Sequence, residues 1–352
     1  MGKVAPILRD KKDGLNLKKP KNSRLGIIGG QALIEGVMMR GPKGTALAVR
    51  VPSGEIETED LDCVDIKGKS GFFRIPLIRG IVGFIESLLT GFKALMRSAE
   101  KAGIDLEEDD GEEASKFEKW ITDKLGDKLM GVLTSIAAVL GVVLAVFLFM
   151  YLPSLLFSLL QGAVGDQIAN LRAVFEGVLK IAIFIGYIAL VARMKEIGRV
   201  FQYHGAEHKT IFCYENGLDL TVENVRKQSR FHPRCGTSFL VLMLLVSILI
   251  SSLLVYFTDL DNNNMVWVPI KILILPVIMG VGYEIIRFAG RHDNLLTRIL
   301  SAPGMWTQRL TTKEPDDSMI EVAIQSVMAV LPEEDLPQKT EKSVESSEVQ
   351  AS

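Results

Sequence analysis

Gly236-Thr-Ser-Phe-Leu-Val-Leu-Met-Leu-Leu-Val-Ser-Ile-Leu-Ile-Ser-Ser-Leu-Leu-Val-Tyr-Phe-Thr258 runs for 23 residues without a charge. At about 1.5 Å rise per residue, a helix of this length exceeds the ~30 Å hydrocarbon core of a bilayer. Met130–Gly165 is also free of charge. Two further stretches, Leu171–Ala192 and Met265–Ile286, are apolar with a few charges near one end. In the first of these, Glu176 and Lys180 stand at the spacing of a helical ion pair, and in the second Lys271 is long enough to snorkel. The expected fold is therefore a mainly α membrane protein with about four transmembrane helices in a domain over 130–290, and the lipid bilayer is its principal partner.

Short-loop charge orients these spans. The loop 193–236 carries Arg193, Lys195, Arg199, Lys209, Arg226, Lys227, Arg230 and Arg234, whereas Leu171 is followed by Arg172 alone and Thr258–Val266 holds no basic residue. This predicts a cytosolic loop and, with an even number of spans, two cytosolic termini in a plasma membrane. The basic arm 1–24 agrees, since Lys11–Arg24 lacks the apolar core of a signal peptide. A net charge of −2 gives no electrostatic footprint for nucleic acid, and none is expected as a partner. Cys63, Cys213 and Cys235 all map to the reducing side, where a metal ligand or packed thiol is a more natural role than a disulfide.

Outside the spans, 25–70 reads as a small N-terminal β unit. Ala32–Met39, Thr45–Val51 and Glu55–Leu61 are candidate strands divided by the turn signals Arg40–Gly44 and Pro52–Gly54. Its glycines do not form a phosphate loop, because the Gly-x-x-x-x-Gly-Lys-Ser/Thr pattern is absent. Within it, Glu35 and Arg40 are possible accessory site residues, although packing of a hairpin explains them equally well. Over 71–100, Arg79, Glu86, Thr90, Lys93 and Arg97 make a narrow polar stripe on an otherwise apolar helix, predicted to be interfacial or buried against the spans. An acidic linker and pre-span helix follow over 101–129, with the acidic run at Asp105–Glu113. A cytosolic segment over 291–332 precedes a polar tail, 333–352, whose composition predicts disorder.

The chain has four histidines: His204, His208, His232 and His292. His204-Gly-Ala-Glu-His208 puts two imidazoles four residues apart, hence on one helical face, with Glu207 beside them. His232-Pro-Arg-Cys235 supplies two more donors just before the third span, and Glu284 and His292 lie at or beyond the fourth. These segments share one membrane face. His204, His208, His232, Cys235 and Glu284 are thus candidate ligands for a divalent transition metal, zinc being the natural choice for imidazole and thiolate. Glu207 is the candidate catalytic base and His292 an accessory residue. If three ligands bind, a fourth position is open for hydrolysis; if His204, His208, His232 and Cys235 all bind, the site is closed and structural. Glu196-Ile-Gly-Arg199…His204 and Glu284-Ile-Ile-Arg287…His292 share their spacings, which raises the idea of a two-span unit used twice. Glu176, Lys180 and Lys271 also admit a small-transporter reading.

Gly29-Gly-Gln-Ala-Leu-Ile-Glu-Gly-Val-Met-Met-Arg-Gly-Pro42, Tyr203–Thr210, His232–Thr237 and Leu310–Asp317 together resemble the YqhQ family of bacterial membrane proteins, over about 24–332. The resemblance implies a multi-pass protein of a bacterial plasma membrane, in a family of unknown function that once carried the label of a metal-dependent enzyme. It implies no substrate. The function expected is a cytosol-facing metal site that hydrolyses a membrane-proximal peptide or lipid-linked substrate, with a structural metal site in a membrane scaffold as the alternative.

Overall fold

The computed structural model describes residues 24–103, 129–257, 264–289 and 295–335, apart from 64, 67 and 69. The basic arm before Arg24, the run Asp105–Glu113, His292 and the tail beyond Asp335 lie outside these residues.

Two layers make up the molecule, one apolar enough for a membrane and one built on a sheet. In the membrane layer, four helices meet the length and apolarity of a span: Ile136–Val164, Asp166–Val191, Gly236–Phe257 and Val266–Ile285. Each falls within a few residues of its expected position, and the helix of the first begins at Leu129. The first is built from α2 (Leu129–Val146), a π-helical turn (Phe147–Tyr151) and α3 (Leu152–Val164). The others are α4 (Arg172–Val191), α7 (Gly236–Phe257) and α8 (Asn264–Ala289). Val139, Leu140 and Val142 are each more than 60% exposed. A water-soluble chain does not leave so much contiguous apolar surface uncovered, and a bilayer covers it.

In the second layer, β1 (Gly29–Leu33), β2 (Gly36–Gly41), β3 (Gly44–Arg50) and β4 (Ile56–Asp60) form an antiparallel meander in that order. The strand expected over Ala32–Met39 is really two. Leu33 pairs with Gly36, and the chain reverses through Ile34 and Glu35. No glycine or asparagine marks this turn, so the usual sequence signal is missing. Glu35 adopts the turn at φ 48°, held by a two-pronged ion pair with Arg199 at 2.5 Å on each oxygen and by the Tyr203 hydroxyl at 3.2 Å.

Period-two alternation covers both faces of this sheet. Val37, Met39, Ala46 and Ala48 pack on Tyr203 and Ala206 of α5 (Lys195–Glu215) and on Ile320 and Val327 of α10 (Asp317–Val330). Met38, Leu47 and Val49 face the other way, onto Ala94 of α1 (Ile78–Lys101). The sheet is thus a core element sandwiched by helices.

Helix α1 is turned opposite to a water-soluble amphipathic helix. It buries Glu86, Thr90, Ser98 and its glycines and exposes Ile85, Leu88, Leu89 and Phe92. Its start crosses α8 closely, since a Cβ on Gly80 would stand 2.8 Å from Tyr283 Cβ and one on Gly280 3.0 Å from Leu77 Cα. An outward apolar face next to the spans suits a helix lying at the membrane interface.

Helix α6 (Val222–Arg226) packs on α5 and α10, and α9 (Leu295–Thr311) packs on the spans α7, α4 and α8. The proposed echo meets a difference here. Glu196 opens α5, a helix separate from span α4, whereas Glu284 lies inside α8 itself.

Candidate metal centre

Helix α5 carries His204, Glu207 and His208 across the middle of its length. Residue spacings of four, seven and eleven return to one helical face, so His204, His208, Ile211 and Glu215 look the same way. That face meets the turn Phe231–Cys235 and the first turn of α7. The His204 and His208 rings stand 4.3 Å apart, centre to centre. Cys235 closes the group, with its Sγ 3.1 Å from His204 Nε2. Among the described residues, one donor atom each from His204, His208 and Cys235 lie within 4.8 Å of one another, and all three residues are buried.

Protons on the two rings follow from their other contacts. His204 Nδ1 meets the Thr311 carbonyl at 2.8 Å, and His208 Nδ1 meets the Arg230 carbonyl at 2.6 Å. A carbonyl oxygen only accepts, so each Nδ1 carries the hydrogen and each Nε2 is left as a bare lone pair. Metal-binding histidines are oriented in this way. Among the described residues, His208 Nε2 is buried without a hydrogen-bond partner, a costly condition that an ion would relieve. Ligand atoms around one tetrahedral zinc stand ~3.3–3.8 Å apart, given bonds of about 2.0–2.3 Å, so donors that now span up to 4.8 Å would hold such an ion after closing by about 1 Å.

Electrostatics point the same way. Burial holds the His208 imidazole below its ordinary value, keeping it neutral. The Thr237 hydroxyl and N–H reach the Cys235 sulfur at 3.2 and 3.4 Å and favour its thiolate against burial. Burial pushes the Glu207 carboxyl up to about 8; His204 pulls against this, Cys235 adds to it, and the Gly30 N–H pulls against it. Gly30 has no room for a side chain, since a Cβ there would stand 2.7 Å from the Met38 carbonyl and 3.1 Å from Glu207 Cγ. Strand β1 is thereby pressed onto the acid.

Beside this group is a cavity of about 440 Å³, bounded by β1, α1 and α5. Glu207, His208 and Cys235 line it, with Arg40, Arg234 and Thr90 on other walls.

Among the described residues, the remaining sequence candidates do not join the three donors. His232 is buried near His208, with ring centres 5.6 Å apart, but its Nε2 turns to Glu215 Oε2 at 3.4 Å. Burial lowers its imidazole despite that acid. Its backbone is clamped by Gln308, which accepts from its N–H at 2.8 Å and donates to its carbonyl at 2.7 Å. Glu284 does not join the histidines; Arg79 engages both its oxygens, at 2.7 and 2.5 Å. Glu35 is the turn acid that holds Arg199. Arg40 reaches the cavity and contacts Thr45 and Cys63. Cys213 is a packed thiol, fully buried and pushed up to about 11 by that burial.

Sequence reasoning missed Glu215, which is buried, receives the Gly26 N–H at 2.9 Å and pairs with Arg234 and His232. Its spacing from His208, two helical turns, was the available signal. The glycine inside the motif also has a cause. A Cβ on Gly205 would overlap the Lys313 carbonyl oxygen, where the chain leaving α9 crosses α5 and Lys313 N–H bonds Phe201 O at 2.8 Å.

Comparison with known proteins gives the family without adding chemistry. A family model described as a protein of unknown function (DUF1385) matches residues 75–333. The uncharacterized protein YqhQ of Bacillus subtilis (strain 168) is 33% identical over 318 residues, covering 89% of this chain and 95% of that protein. No solved structure matches. With the match extending over both the sheet-bearing layer and the spans, this chain belongs to the DUF1385 family of YqhQ-like proteins, whose function is unknown.

Proposed function

We propose that the chain is a metal-dependent hydrolase of the bacterial plasma membrane, with His204, His208 and Cys235 as metal ligands and Glu207 as general base. One observation carries this reading: three buried donors converge beside an acid on the wall of an open cavity, while the fourth candidate, His232, is turned to Glu215. Three protein ligands leave one position free, the arrangement of catalytic rather than structural zinc. When bound, such an ion supplies Lewis acidity and a site for water. In its ionised form Glu207 would accept the proton that water loses as its oxygen adds to the substrate, and would return it to the leaving atom as that bond breaks.

The cavity wall indicates the substrate class. Arg40 and Arg234 face it, favouring an anionic group, and Ser87 and Thr90 of α1 bring it to the membrane interface. A lipid-linked or membrane-proximal substrate suits that position. The basic loop 193–236 supports a cytosolic site and cytosolic termini.

A structural site in a scaffold is the second reading, favoured by the way the ligands join α5, the turn before α7 and, through Thr311, the end of α9. The acid separates the two. Glu207→Gln should keep bound metal and folding while losing complementation of a deletion strain. Wild-type complementation by this variant would remove the hydrolase and leave the scaffold.

A further inference from the structure

The spans hold a second polar site, remote from the metal centre, towards the starts of α3, α4 and α8 and the end of α7. Glu176 accepts from Arg172 Nε at 3.1 Å, Ser154 Oγ at 2.8 Å and Trp267 Nε1 at 3.2 Å, and it pairs with Lys271. Lys271 also donates to Ser154 at 2.8 Å. Arg172, Glu176, Lys180 and Lys271 are all more than nine-tenths buried. The cluster therefore places three basic side chains around one carboxylate. Charges inside a membrane are expensive and mark functional sites by default.

Lys180 is the exception within this network. It lies one helical turn beyond Glu176, yet among the described residues it makes no hydrogen bond or ion pair, and it is only 6% exposed. It lines a cavity of about 250 Å³ between the π-helical turn, α4, α7 and α8, which Lys271 also lines. The rest of the wall is apolar but for Ser247 and Ser251. Two backbone irregularities border the cavity. Phe149 and Met150 come from the π-helical turn, and Leu275 precedes Pro276 inside α8. π-turns recur at functional sites, and irregular backbone at membrane depth occurs where it lines a cavity.

We infer that this cavity binds an anionic amphiphile, with its phosphate or carboxylate head beside Lys180 and Lys271 and its chain along the apolar wall. Among the described residues Lys180 has no carboxylate paired with it, and the head supplies that charge. The volume, just under the ~300 Å³ at which small-molecule sites begin, takes the head and the first part of one hydrocarbon chain along the apolar wall. Ser247 and Ser251 offer hydroxyls to the head. This site is independent of the metal centre and of the hydrolase reading.

The full chain, purified in a non-ionic maltoside, is to be titrated with dodecyl phosphate below its micelle concentration, with dodecanol and with inorganic phosphate, while Tm is followed. A saturable rise with dodecyl phosphate alone is expected. Lys180→Met should weaken the apparent Kd by about tenfold or more, and Lys180→Arg should retain binding. Ser247→Leu, which narrows the cavity but keeps the lysine, should lose the shift and serves if Lys180→Met does not fold. An equal shift with dodecanol would make the site merely apolar, and an equal shift with inorganic phosphate would make it a site for the free anion. Either result, no shift, or unchanged binding by Lys180→Met overturns the inference.

Discussion

His204 Nε2 and Cys235 Sγ stand 3.1 Å apart although 31 residues separate them in the chain. The contact joins the middle of α5 to the residue just before the third span, so the candidate metal centre of the extramembrane layer is tied to the membrane helix itself. Any shift of α7 along its axis would move one ligand relative to the other two.

Ligand removal should therefore act on metal first. Purified protein is expected to carry about one equivalent of zinc, and Cys235→Ser or His208→Ala to weaken retention by ~100-fold or more, beyond the 10–100-fold cost of outer-shell changes. Glu284→Gln, by contrast, should leave the metal in place. Elemental analysis after dialysis against a graded series of chelators measures this. Wild-type retention by Cys235→Ser would rule out the ligand set.

Gly205→Ala tests the crossing of the chain over α5. Its methyl group would overlap the Lys313 carbonyl, and overpacking of this kind costs about 1–3 kcal/mol. Thermal unfolding in detergent should show a clear loss of Tm. Gly162→Ala in α3, where a Cβ meets nothing within 4 Å, is the control and should stay within ~1 kcal/mol. Equal behaviour of the two variants would contradict the close approach.

The Glu35–Arg199 pair sets an acid-sensitive term. Arg199 hydrogen bonds hold the Glu35 carboxyl below its ordinary value, against its burial. A group depressed on folding contributes stability that is fully present above its unfolded value of about 4.3 and is lost as pH falls through the lower folded value. Arg199 is half exposed, so screening keeps the contribution to about 1 kcal/mol. Glu35→Gln should be less stable than wild type at pH 7, and the gap should close from about pH 5 downwards. A gap that persists unchanged at pH 3 would assign the effect to the turn rather than to the charge.

Topology follows from the distribution of basic residues. Reporter fusions at Gly217 and at the C-terminus should both read cytosol, and a fusion within Asp259–Asn264 should read the outside. An external signal at Gly217 would move the whole metal centre to the other side of the membrane.

Reading the chain alone determined the spans, because insertion of a helix depends on a local sum over about 20 side chains. It determined the covered strands after Arg40 and the pairing of His204 with His208, since alternation and helical period are local geometry. It failed at Ile34–Glu35, where the turn is stabilised by a distant arginine in place of turn chemistry. Only the tertiary structure decided that Cys235 joins the histidines while His232 turns to Glu215 and Glu284 to Arg79, because residues near one membrane face compete for partners through packing. The carbonyls of Thr311 and Arg230 that set both imidazole tautomers were out of reach for a simpler reason. Every residue has a carbonyl, and only the fold aims it.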